Sequence, residues 1–221
     1  SALAEVAVTT SHIDLADNAL TDEKQFTLNV MADPVATTRV SGRVFDVNGT
    51  PLRGVQVEIG NVQAMTNSVG EFLLDLGVGT PVTETIRIRG ELLTGLAATY
   101  PFIAEKLPFM LGRELFEGFN NYILRPIYLP KLDMANAKQI NPTVTTLVTT
   151  DALPGALLTV NPGTLLNQQG SAYAGNISIT EVPINFTPAA IPDGLFPDIV
   201  VTIQPGEMVF STPTRLSLPN R

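Results

Sequence analysis

Apolar and polar residues alternate with a period of two along most of this chain, in short runs punctuated by Gly, Pro, Asn and Asp. That period places successive side chains on opposite faces of a strand. In residues 1–38 two such runs stand out, 3–9 and 25–31; in the second, Phe26, Leu28 and Val30 alternate with polar positions. A polar connection from Ser11 to Lys24 separates them, so the segment predicts strand, connection, strand, which is too little to enclose a core alone. Residues 39–96 carry four runs: Val40 to Asp46; Val55, Val57 and Ile59; Glu71 to Leu76; and Glu84 to Gly90. Asn48-Gly49 and Ser68-Val69-Gly70 supply the positive φ that tight turns between strands require. Short strands at near-even spacing predict an antiparallel sandwich.

The period changes over 97–118. Phe102, Ile103, Leu107, Met110, Leu111, Leu115 and Phe116 recur at helical spacing and predict an amphipathic helical bridge. Pro101 suits its first turn, Pro108 should kink or split it, and Gly118 should end it. Residues 119–221 return to alternation in Tyr122 to Leu129, Val144 to Val148, Ala156 to Val160, Asn176 to Val182, Ile199 to Ile203 and Met208 to Phe210. Pro154-Gly155, Pro162-Gly163 and Pro205-Gly206 mark turns between them. The expected fold is mainly β: two small antiparallel β-sandwiches, 39–96 and 119–221, joined by a short amphipathic helical segment and preceded by a hairpin or linker over 1–38.

Composition narrows the function classes. Of 221 residues, 44% are hydrophobic and 15% charged, which argues against disorder. A net charge of −8 has the wrong sign for a nucleic-acid binder, whose phosphate contacts need Lys and Arg. The absence of Cys excludes thiolate catalysis, disulfides and Cys-based zinc sites. No run reaches 18 consecutive apolar residues, so no membrane insertion by a helix is expected. The chain opens on Ser1-Ala2-Leu3-Ala4-Glu5, with neither an initiator Met nor the pattern of a signal peptide, and reads as a segment of a longer protein.

Three resemblances follow from particular residues. Residues 1–38, with their Asp-x-Ala-x-Asn connection (Asp14, Ala16, Asn18), look like the closing hairpin of a bacterial immunoglobulin-like repeat, with Asp33-Pro34 as linker. Gly42-Arg43-Val44, Asp46, Gly49, Pro51-Leu52, Gly54-Val55 and Val57, followed by Thr66, Gly70, Phe72 and Leu74, resemble the carboxypeptidase regulatory-like domain, a transthyretin-type sandwich. That resemblance implies a stalk or spacer without catalytic residues. In the second half, Leu158, Val160, Pro162, Thr164-Leu165, Val201, Ile203, Pro205-Gly206, Phe210-Ser211, Pro213, Leu216, Leu218 and Pro219 resemble the β-sandwich module shared by ankyrins, netrin receptors and the zonula-occludens scaffold. The order of the two modules resembles segments of very large bacterial surface proteins.

Candidate chemistry is sparse. His12 is the whole imidazole inventory, which excludes a multi-histidine metal site within one chain. Asp14, Asp17 and Asp22 offer hard oxygen ligands of the kind calcium takes, although apolar residues interrupt the spacing of a known calcium loop. Phe210-Ser211 matches a dipeptide at which some relatives of the second module cleave their own backbone, but Val209 stands where the assisting His would be. With no Trp and only Tyr100, Tyr122, Tyr128 and Tyr173, the chain has few planes on which to stack a sugar. The expectation is a non-catalytic structural or adhesion module of an extracellular or cell-surface bacterial protein. It would need no cofactor beyond calcium, and its partners would be neighbouring domains of a longer chain. The alternatives are a glycan- or protein-binding module using loops at one sandwich end, and a self-processing domain at Phe210-Ser211.

Overall fold

The computed structural model describes residues 3–8, 24–29, 37–78, 84–188, 191 and 195–220. The chain divides into two compact units, Ser1–Ala36 and Thr37–Arg221. In the first, β1 (Leu3–Val8) and β2 (Lys24–Asn29) pair antiparallel from Leu3↔Asn29 to Val8↔Lys24. The two expected strands are thus paired with each other, and the connection between them lies outside the described residues.

The second unit opens with a sandwich whose turns are set by short polar side chains. β3 (Thr38–Asp46) buries alternate residues, among them Val40 and Val44. At its end Asp46 Oδ1 accepts the backbone N–H groups of Asn48 and Thr50, which bends the chain back. β4 (Gln56–Ile59), β5 (Val62–Met65), β6 (Glu71–Gly77) and β7 (Thr85–Arg89) follow. Before β4, the buried Thr66 hydroxyl donates to the Leu52 carbonyl at 2.5 Å and accepts the Val55 N–H at 2.9 Å. Asn67 repeats the Asp46 device for the turn into β6, accepting from Val69 and Glu71. That turn contains Gly70 at φ 78°, where a Cβ would stand 2.5 Å from the Val44 carbonyl oxygen.

The segment expected as a helical bridge is mostly something else. β8 (Phe102–Lys106) adds to the edge of β7, and only α1 (Leu107–Leu111) is helical. The edge of β7 would otherwise be unpaired, and pairing it takes precedence over the helical spacing of the apolar residues. Pro108 sits in the first turn of α1, where its missing N–H costs nothing, so it starts the helix rather than breaking it. Gly112, at φ 70°, ends it.

The next strands also depart from expectation. β9 (Asn120–Tyr122) and β10 (Ile127–Leu129) lie parallel to β3, beside Arg39–Ser41 and Val44–Asp46 respectively. Residues 119–129 therefore complete the first sandwich instead of beginning the second, and its sheets are not purely antiparallel. Asn121, 0% exposed, holds this return: its Oδ1 accepts from Phe116 N, and its Nδ2 donates to the carbonyls of Phe116 and Phe119. The two sheets, β10-β3-β6 with β9 on β3, and β5-β4-β7-β8, enclose one apolar cluster that includes Val44, Val57, Phe72, Ile86, Ile88, Leu107 and Leu129.

Six of the remaining eight strands form two small antiparallel sheets around a second cluster containing Val148, Leu158, Val160, Ile177 and Ile179. The strands are β11 (Lys138–Gln139), β12 (Thr146–Thr149), β13 (Leu157–Val160), β14 (Leu165–Leu166), β15 (Asn176–Glu181), β16 (Val201–Gln204), β17 (Val209–Phe210) and β18 (Arg215–Ser217). They are ordered β11-β15-β16 and β12-β13-β18, with β14-β17 as a separate pair. The connection between the two cores is anchored at Asp133. Its N–H donates to Thr180 Oγ1, while its carboxylate accepts from Thr150 Oγ1 at 2.6 Å and Asn136 Nδ2 at 2.9 Å. Burial raises the Asp133 pKa, but these hydrogen bonds outweigh it and hold the carboxyl below its ordinary value.

Two outcomes test this description. Gly70→Ala should cost about 2 kcal/mol or more in urea unfolding, because neither the left-handed backbone nor the Val44 carbonyl can move cheaply. Asp133→Asn should cost about 1 kcal/mol at pH 7. A carboxyl whose folded-state pKa is depressed contributes its stability above about pH 4, the unfolded value, and loses it as pH falls through the folded value. The gap between wild type and Asp133→Asn in urea titrations should therefore close on acidification below pH 4.

Candidate functional site

Within Thr37–Arg221, the two apolar cores meet along a seam built from a few polar side chains. At its centre is Gln204, 6% exposed, at the end of β16. Its Oε1 accepts the Phe102 N–H at 3.2 Å and the Gly206 N–H at 2.8 Å; its Nε2 donates to the Phe102 carbonyl at 3.1 Å and to Thr202 Oγ1 at 3.0 Å. One amide thus completes both backbone groups of the first residue of β8, as a neighbouring strand would. Gly206 is obligatory here, since a Cβ would collide with the Phe102 ring. At the far side of the seam, Arg125 Nη2 donates to the Asn185 carbonyl at 2.9 Å, and Tyr128 meets Phe186 edge-on at 4.9 Å.

Charge gathers beside Gln204. Arg89, at the end of β7, contacts Glu91 at 2.5 Å, Glu207 at 3.7 Å and Glu58 at 4.0 Å, and lies over the Phe102 ring. Arg87 reaches Glu207 at 4.0 Å. Glu207, between these two arginines, has φ 62°, a left-handed backbone unusual for a residue with a side chain.

A groove of about 310 Å³ opens where this cluster meets the connection and β15. Its walls come from Leu132, Met134, Tyr173 and Pro205, and its polar rim from Glu91, Thr99, Asn176 and Ser178. Glu91 stands in a 3-10 turn (Gly90–Leu92) that is pressed against the fold: a side chain at Gly90 would strike the Pro101 carbonyl, Leu129 and Tyr100. Burial pushes the Glu91 carboxyl up from its ordinary value in spite of Arg89. β15 places Ile177 and Ile179 in the second core and turns Ser178 to the opposite side, toward the groove. Tyr173 is held by a hydrogen bond from its hydroxyl to the Asn176 carbonyl, and Gly175 leaves the space its ring occupies.

The residues singled out from sequence fare differently. His12, Asp14, Asp17 and Asp22, the candidate calcium ligands among them, lie outside the described residues. No group of three or more His, Asp or Glu suited to a metal ion occurs among the described residues. Phe210 closes β17, and Ser211 is tied to the second sandwich: its N–H and its hydroxyl both donate to the Thr164 carbonyl, at 2.8 and 3.2 Å. Tyr122 is partly exposed on β9, and Tyr128 is packed between Phe45 and Phe186. Of the groove's residues, the sequence pattern marks Tyr173, the Pro205 turn and the strand run that carries Asn176 and Ser178. The roles of Gln204, Glu91 and Ser178 give no local signal, because they depend on segments about 100 residues apart in the chain.

No family model matches this sequence, and no curated protein matches it. Among solved structures, the chain is similar to the crystal structure of a DUF3823 family protein from Parabacteroides merdae. The identity is 12%, with 77% of this chain and 81% of that one covered, at a TM-score of 0.26. A likeness of that degree assigns the chain to no family.

Proposed function

We propose that residues 37–221 are a rigid, non-catalytic scaffold of two coupled β-sandwiches, a structural module of a larger extracellular or cell-surface protein whose partners are the neighbouring domains of the same chain. The observation that carries this reading is the Gln204 clamp. A buried amide that completes both backbone groups of Phe102 ties the edge of one sandwich to a strand of the other. With the Arg89 cluster beside it and the Arg125 contacts at the far side, the seam opposes hinging between the cores.

The use made of buried polar side chains supports the same reading. Asp46, Thr66, Asn121 and Gln204 are all spent on backbone groups at turns, at loop returns and across the seam. A spacer needs such rigidity, since every flexible joint adds conformational entropy that lets the chain fold back on itself.

Thermal unfolding tests the coupling. Residues 37–221 of the intact chain should melt in one cooperative transition. Gln204→Leu, which keeps the bulk but strands the Phe102 N–H and C=O, should cost about 3 kcal/mol and separate the melting of the two cores. Two independent transitions in the unaltered chain would refute the rigid-scaffold reading.

A further inference from the structure

The groove beside the seam holds two polar atoms that the fold leaves without a partner. Glu91 Oε2 and Ser178 Oγ are both buried and make no hydrogen bond. Ser178 is 1% exposed. Each such atom costs stability unless something completes it. They belong to separate sandwiches, and both residues line the same groove.

The chemistry of the groove restricts what could complete them. Its polar lining residues are Glu91, Thr99, Asn176, Ser178 and Gln204; Glu91 alone of these is charged, and no Lys or Arg is among the described residues that line it. Among the described residues, the neighbouring ion cluster sets three carboxylates, Glu58, Glu91 and Glu207, against two guanidinium groups, Arg87 and Arg89. Arg89 satisfies Glu91 Oε1 and leaves Oε2 unpaired. The rest of the wall is apolar, with the Tyr173 ring available to a cation. At about 310 Å³ the groove is at the small end of ligand sites.

We propose that this groove binds a primary ammonium on an apolar stem, its N–H groups donating to Glu91 Oε2 and Ser178 Oγ and its carbon chain lying along Leu132, Met134 and Pro205. A free alkylamine and a lysine side chain of another protein share that chemistry. The raised Glu91 pKa agrees with a carboxylate that lacks full compensation until a cation arrives.

The test is NMR titration of the intact isotope-labelled chain with n-butylammonium, with n-butanol as the neutral control. A lysine-containing tripeptide and its norleucine counterpart form the second arm. Butylammonium should produce saturable shifts at Glu91, Leu132, Asn176 and Ser178 with a Kd in the millimolar range, as expected of so small a ligand, and butanol should not. Binding of both butylammonium and the lysine peptide assigns the site to ammonium stems in general; binding of the peptide alone assigns it to protein lysines. Glu91→Gln should weaken binding at least tenfold. Ser178→Ala removes an unpartnered oxygen, so it should leave the fold as stable as before or more so, and weaken binding about threefold. No shifts with either butylammonium or the lysine peptide at 50 mM, equal shifts with the neutral controls, or unchanged affinity in both variants would overturn the proposal. A scaffold that melts as one body but binds no amine would reject this site while leaving the coupling of the sandwiches intact.

Discussion

The arrangement of Thr37–Arg221 depends on how the first residue of β8 is completed. Phe102 begins an edge strand at a place where water is excluded, and an unpaired N–H or C=O there costs far more than a hydrogen bond returns. Gln204 answers both groups with one side chain, and it can do so only because Gly206 leaves room for the Phe102 ring. The turn that brings Gln204 to Phe102 also sets Glu207 among the arginines and Pro205 in the groove wall. The seam, the place of Glu207 in the ion cluster and one wall of the groove share one local solution to a backbone problem.

The two cores are not large. Each buried Val, Ile or Leu contributes about 1.5–3 kcal/mol, and that gain is set against the entropy of ordering many short strands and turns. A sandwich with sheets as small as β11-β15-β16 and β12-β13-β18 benefits from a neighbour that removes an exposed face. Asp133, Gln204 and Arg125 make the docking directional where apolar contact alone would leave it free to slide. The cost is that the second face of β15 carries polar residues against a partner, and Ser178 is left without one.

The sequence was most legible where a local device acts alone. The turns at Asn48-Gly49 and Ser68-Val69-Gly70 could be read because their signals are local, and the alternation in β3 and β7 put Val40, Val44, Ile86 and Ile88 inward. Legibility failed over 97–118, where Phe102 and Ile103 share the helical spacing of Leu107, Met110 and Leu111 but are claimed by the open edge of β7. It failed again at 119–129, since parallel pairing with β3 leaves no turn signature and the second sandwich was credited with those residues. The seam was invisible for a deeper reason: Gln204 reads as an ordinary strand residue before a Pro-Gly turn, and only the folded chain brings it to Phe102.

Native-state hydrogen exchange at the Phe102 amide tests the central claim most directly. If Gln204 fuses the two sandwiches, that amide should open only with the cores, at the same free energy as Ile88 in the first and Ile179 in the second. Exchange many times faster than either core, or distinct opening energies for the two, would contradict a single body.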